Sequence, residues 1–224
     1  KDFIYDFISE LEEKYPETNL AVFKHNLQTL IVDEVTQTEL NMETVSTSAA
    51  ACYIRTENRI CVLDNLDLSR GSDDYIILTH ELCHAGRSLD ITNDDSGITK
   101  IAFYDTLYMG TYAEEAIITN LVTEMQGIND RAEFYPILTN YYRIICDCVG
   151  YEYTDFFNHS VNYLIHKMDT FMGDEQYAYQ IVAMIDAQAT LRYESYRKVD
   201  FHDFQPLYEY IAKMYFKKYV TADM

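Results

Sequence analysis

Two histidines four residues apart are the residues of this sequence best suited to chemistry. His80 and His84 lie in the pattern H-E-x-x-H, and Glu81 directly follows the first of them. On a helix, residues at this spacing lie within about 40° of each other on one face, so both imidazoles can reach one metal ion. Two neutral nitrogen ligands, an open coordination position and a carboxylate that takes a proton are what a zinc hydrolase needs. The pattern therefore predicts a site for one zinc ion, with both histidines as ligands and Glu81 as the general base.

The residues around this pattern favour a helix. The stretch 71–74, Gly-Ser-Asp-Asp, supplies a turn, an N-cap hydroxyl and two carboxylates where the helix dipole favours anions. An apolar run at 76–78 is typical of a buried helix, and Gly86 stands where a C-cap is expected. We therefore expect the histidines and Glu81 on one buried helix.

The elements before this helix indicate a small α/β lobe. Asp2 to about Lys14 has the apolar spacing of an amphipathic helix. The segment 20–32 is compatible with either a helix or a strand. The runs 51–55 and 59–63 flank a turn-like tripeptide and predict a β-hairpin, whose free edge is suited to pairing with an extended peptide.

The chain after the metal helix has mainly helical periodicity. A helical run is expected from about 112 to 126, and further apolar faces recur up to about 220. The pattern predicts a mainly α, α+β fold in which residues 1–224 form a single catalytic domain. Its N-terminal lobe would cover about 1–86 and its helical C-terminal lobe about 87–224, with the active-site helix between them.

Composition excludes several classes of partner. The formal net charge is −20, which argues against nucleic acid, because phosphates require clustered lysine and arginine. No uninterrupted apolar stretch is long enough to span a membrane, so we expect a soluble protein. The start at Lys1 indicates processing or trimming, and five cysteines only weakly favour a reducing compartment. A bacterial cytoplasmic location and a secreted or translocated one both fit.

The third ligand is expected on the helix that follows. Two protein ligands rarely hold catalytic zinc tightly, so a further residue must complete the set. Glu115 comes 31 residues after His84, which is enough for a loop and a returning antiparallel helix. Its neighbour Glu114 would point about 100° away on a helix, and it remains the alternative.

The segment 110–119 resembles a motif of the gluzincins. These zinc metallopeptidases have H-E-x-x-H on one helix and a glutamate ligand on a later one. The segment is similar to their G-x-x-(L)-N-E-(G/A)-x-T pattern, with Glu114 in the asparagine position, Glu115 as the ligand and one extra residue before Thr119. The resemblance covers about residues 50–125. It implies a zincin-like fold, one zinc ion, and endopeptidase activity on a protein or peptide substrate.

The same resemblance implies an oxyanion-stabilising residue near the metal. Gluzincins often stabilise the oxyanion with a tyrosine or histidine of the C-terminal lobe, a role for which Tyr141 or Tyr142 is the candidate here. Thr119 and Asn120 lie one turn past Glu115. They either hydrogen-bond a ligand or face solvent.

Rival zinc-site families place the third ligand elsewhere. In metzincins it comes six residues after the second histidine, a position that is Asp90 here, so Asp90 is a second alternative ligand. Peptide deformylases use an upstream cysteine, but the residues around Cys52 and Cys61 lack that family's motif. Cys83 occupies a variable position of H-E-x-x-H and is not expected to bind the metal.

Two other functions remain open beside a broad peptidase. One is a metal-binding regulatory or interaction protein without peptidase activity, although an intact Glu81 argues against a purely structural site. The other is a protease effector or toxin with narrow specificity, which the size of the chain permits.

Overall fold

The computed structural model describes residues 2–18, 20–43, 49–64, 66–87, 110–127, 136–174, 177–194 and 201–220. Over these residues the protein is a mainly helical α+β protein with one small sheet, as the sequence predicts. The helices are α1 Asp2–Lys14, α2 Ala21–Gln28, α3 Gln37–Glu43, α4 Asp73–Arg87, α5 Thr111–Met125, α6 Pro136–Val149, α7 Tyr153–Asn158, α8 Val161–Met172, α9 Ala178–Ala189 and α10 Gln205–Tyr219. The strands are β1 Ile31–Val35, β2 Ala51–Ile54 and β3 Arg59–Leu63. None of the described helices is both long and apolar enough to cross a membrane.

The chain divides into two compact units. One comprises Lys1–Ala102 with Leu121–Arg131, and the other comprises Phe103–Asn120 with Ala132–Met224. Helix α5 therefore contributes residues up to Asn120 to the second unit and its remaining residues to the first. The predicted organisation as a single catalytic domain with two lobes stays a prediction.

The sheet of the first unit has the strand order β1-β3-β2. The predicted hairpin is present: β2 runs antiparallel to β3, with Cys52 opposite Cys61, and Asn58 in the turn adopts a left-handed φ of 45°. Strand β1 pairs with β3 in parallel. The ambiguous segment 20–32 therefore holds a helix followed by the start of a strand. The centre of β3 is buried, as expected for the middle strand of a small sheet.

Helix α4 begins where the sequence predicts. The Ser72 hydroxyl accepts a hydrogen bond from the Tyr75 N–H at 3.1 Å, which is an N-cap contact. The helix packs against α2, β2 and β3, and this explains why ten of its residues are buried. The predicted C-cap at Gly86 is wrong, because α4 continues to Arg87. Gly86 is instead a point of close approach: a Cβ there would lie 1.9 Å from Cδ2 of Phe23.

The second unit is helical. Helices α6 and α8 are amphipathic, and α6, α8, α9 and α10 pack on one another through their apolar faces. Fully or almost fully buried side chains form their core: Tyr142, Ile145, Leu164, Met168, Ile185, Leu207 and Met214. Gly150 and Gly173 follow α6 and α8 with positive φ, which is the usual C-terminal glycine conformation.

Candidate metal centre

The two histidines of H-E-x-x-H face each other on α4. The Nε2 atoms of His80 and His84 lie 3.0 Å apart, and the ring centroids lie 4.8 Å apart. His84 is buried and His80 is half-buried. The spacing of four residues thus places two imidazole nitrogens side by side, and the ring of His84 is the more buried of the two.

Helix α5 carries the third donor. Most of this helix is apolar and buried, including Ala113, Ala116, Ile117 and Ile118, as expected for a helix surrounded by protein. Glu115 is half-buried on it. The ligand atoms of His80, His84 and Glu115 all lie within 4.8 Å of one another. Among the described residues these three side chains form a candidate metal site.

The separation of the two imidazole nitrogens allows both to bind one metal ion such as zinc. A tetrahedral zinc with zinc–nitrogen distances of about 2.0–2.1 Å separates two nitrogen ligands by about 3.3 Å. The 3.0 Å between the histidine Nε2 atoms is close to that separation. Two imidazoles and one carboxylate are also a donor set that catalytic zinc sites use. Three protein donors leave a fourth position for water or substrate.

Glu81 contacts the sheet through its carboxylate. Its Oε2 accepts a hydrogen bond from the Tyr53 backbone N–H of β2 at 2.8 Å. The negative charge of Glu81 also contributes to raising the pKa of two nearby thiols, those of Cys52 and Cys83. Burial, the neighbouring Cys61 and this charge raise the pKa of Cys52 to about 12. Complete burial, followed by the same charge, raises the pKa of Cys83 well above its usual value.

The two neighbouring glutamates of α5 have different surroundings. Glu114 is buried, with 2% of its surface exposed, whereas Glu115 is half-buried and groups with the histidines. The Thr119 hydroxyl donates to the Glu115 backbone carbonyl at 2.8 Å. The Asn120 amide donates to the Thr139 carbonyl on α6 at 3.1 Å. Both side chains thus donate to backbone carbonyls, one on α5 itself and one on α6, and a role for either residue toward a metal ligand stays a prediction.

The candidate tyrosines lie on α6. Tyr141 meets the ring of Tyr208 edge-on, with centroids 5.9 Å apart, and burial and a hydrogen bond to Tyr208 raise its pKa. Tyr142 is fully buried in the helical core. An oxyanion role for Tyr141 stays a prediction. Asp90, the alternative ligand, lies outside the described residues.

Three contacts around the site have no signature in the sequence. They are the Tyr53 N–H that binds Glu81, the Asn26 amide that donates to the Ala85 carbonyl at 3.1 Å, and the Asp186 carboxylate that accepts from the start of α5. In each case one partner is a backbone group. Every residue except proline has a backbone N–H, so residue types alone do not reveal such pairs.

Comparisons with models of known protein families, with curated proteins and with solved structures give no match for this chain.

Proposed function

We propose that this chain is a zinc-dependent metallopeptidase of the gluzincin type, with a zincin-like fold, which hydrolyses peptide bonds in a protein or peptide substrate. The observation that carries the proposal is the grouping of His80, His84 and Glu115 within 4.8 Å, next to Glu81 on the same helix as the histidines. A purely structural zinc site usually has four protein ligands and needs no adjacent base. A three-donor site with a neighbouring carboxylate is typical of hydrolysis.

The proposed division of labour follows from residue chemistry. His80, His84 and Glu115 would hold the ion. When bound there, zinc supplies a Lewis acid that polarises a carbonyl and lowers the pKa of water to about 7. Glu81 takes the proton of the attacking water and returns it to the amine of the broken peptide bond. The Tyr53 N–H donates to one carboxylate oxygen of Glu81 and so helps to orient this carboxylate.

The sharpest test is Glu81→Gln in the full chain. Glutamine keeps the side chain's size and can still accept from the Tyr53 N–H, but it cannot act as a base at neutral pH. We expect unchanged zinc content, measured by elemental analysis, and a loss of about 10²–10⁴-fold in cleavage of a peptide library. Cleavage by the unmodified chain must also stop with a zinc chelator.

A matched control comes from α10. Glu209 is exposed and hydrogen-bonds Gln205, so Glu209→Gln removes one carboxylate far along the chain from the site and should leave both readouts unchanged. Full peptidase activity in Glu81→Gln would remove the general-base assignment.

The hydrogen bond between Glu81 and Tyr53 also favours a second candidate function. It joins α4 to β2, so Glu81 has a structural contact that a protein without catalysis would also retain. In that case the chain is a metal-binding regulatory or interaction protein. Stoichiometric zinc without any chelator-sensitive cleavage would favour this candidate over the peptidase.

A further inference from the structure

We infer that Asp186 on α9 is a positioning residue for the metal site, because it anchors the start of the helix that carries Glu115. The inference rests on the proposed function, since Glu115 is a ligand only if the site binds metal. It adds a residue that lies far from H-E-x-x-H in the sequence and belongs to no metal-binding pattern.

The contact is a bidentate cap. Asp186 Oδ2 accepts from the Gly110 N–H at 2.5 Å, and Oδ1 accepts from the Tyr112 N–H at 3.2 Å. The first N–H groups of a helix have no acceptor within the helix. A carboxylate is well suited to them because hydrogen bonds to a charged acceptor are stronger and the helix dipole favours an anion at this end. The acceptor comes from another helix, so the cap also ties α5 to α9.

A second, independent contact holds the same end of α5. Gly110 has a φ of +95°, a backbone conformation that residues other than glycine rarely adopt. A Cβ at this position would lie 2.7 Å from Cγ2 of Val161 on α8. The backbone at Gly110 is therefore pressed against α8 while its N–H is bound by Asp186 of α9. Two neighbouring helices set the direction in which α5 starts.

The distance from this anchor to the ligand is short. Glu115 is five residues after Gly110, which corresponds to about 7.5 Å along the helix axis. Functional groups that bind a metal must be held to within about 0.5 Å. Fraying or tilting of the first turn would therefore displace the Glu115 carboxylate from the histidines, without any change to the ligands themselves.

The test compares zinc affinity in Asp186 variants of the full chain. Asp186→Ala removes both acceptors, and Asp186→Asn keeps one acceptor but loses the charge. From the usual effect of losing a cap, we expect the zinc dissociation constant to rise about threefold to thirtyfold in Asp186→Ala and less in Asp186→Asn. A competing chelator measures the constant. Cobalt substitution provides a second readout, because its visible spectrum changes when the carboxylate ligand is lost.

The matched control is Ile185→Val on the same helix. Ile185 is fully buried, so removing one methyl group destabilises α9 without touching the cap. We expect a lower melting temperature but a zinc dissociation constant within twofold of the original. If Asp186→Ala lowers the melting temperature and leaves zinc affinity and the cobalt spectrum unchanged, Asp186 is only a stabilising residue. The inference also fails if Ile185→Val weakens zinc binding equally.

These outcomes separate the inference from the proposed function. An unmodified chain that binds zinc and cleaves peptides, with an Asp186→Ala variant that binds zinc equally well, overturns the inference alone. An unmodified chain that takes up neither zinc nor cobalt overturns both.

Discussion

Gly86→Ala tests whether the close approach of Phe23 on α2 requires a glycine at this position of α4. Two effects of this substitution oppose each other. Alanine is favoured over glycine inside a helix by about 1 kcal/mol. Against this, the new Cβ would lie 1.9, 2.0 and 2.4 Å from Cδ2, Cε2 and Cγ of Phe23. Carbon atoms in contact are normally about 3.5–4.0 Å apart, so the ring would have to withdraw by about 1.5–2 Å.

The Phe23 ring has little freedom to withdraw. Only 1% of its surface is exposed, and it packs against Phe7 with ring centroids 6.2 Å apart. Overpacking of a filled core usually costs about 1–3 kcal/mol, and a displacement of this size belongs at the upper end. After subtracting the helix preference, we expect Gly86→Ala to lower the free energy of unfolding by about 2 kcal/mol. For a chain of 224 residues this corresponds to a melting temperature lower by about 4–8 °C.

The assay is urea unfolding of a double-mutant cycle. Phe23→Ala alone should cost about 3–5 kcal/mol, because it empties a core position. In that background the clash is gone, so Gly86→Ala should become neutral or stabilising by up to about 1 kcal/mol. Equal or greater stability of Gly86→Ala in the original background would refute the reasoning. The same sign in both backgrounds would show that Phe23 is not the cause.

Two further substitutions test the metal ligands. Glu115→Ala should weaken zinc binding at least about a hundredfold, because even residues that only hydrogen-bond a metal ligand change affinity by up to about that factor. Glu114→Ala should mainly destabilise the fold, because Glu114 is buried. Chelator competition measures zinc affinity in both variants, and a larger loss of affinity in Glu114→Ala would identify Glu114 as the ligand. Cys83→Ala should leave zinc content unchanged, because Cys83 is buried outside the His80, His84 and Glu115 group, and metal loss in elemental analysis would reveal a thiolate ligand.

The features of the fold that could be predicted are formed by residues close to each other in the sequence. Ser72 caps α4 through a contact three residues away, and the hairpin pairs strands that are joined by one short turn. Parallel pairing of β1 with β3 was not predictable, since it joins segments separated by a helix and another strand. Gly86 shows the same limit. A glycine near a helix end has the pattern of a cap, and only the position of Phe23 reveals its different use.

The candidate site divides in the same way. The grouping of His80 with His84 follows from the helical repeat alone, which brings residues i and i+4 together. The choice between Glu114 and Glu115 depends on the rotation of α5 about its axis, which tertiary packing sets. In the structure Glu114 is buried and Glu115 groups with the two histidines as a candidate site, while the role of Glu115 as the metal ligand stays a prediction.

Both helices of the candidate site are fixed near their metal-binding side chains by contacts of other residues. Close to His84, the Phe23 ring packs against Gly86, and the Asn26 amide donates a hydrogen bond to the Ala85 carbonyl. At the start of α5, the Gly110 and Tyr112 N–H groups donate hydrogen bonds to the Asp186 carboxylate. Conformational freedom that is lost during folding is not lost again when a ligand binds. If the metal binds here, these contacts raise its affinity by ordering the donors in advance, so a search for the determinants of affinity must extend beyond the donors.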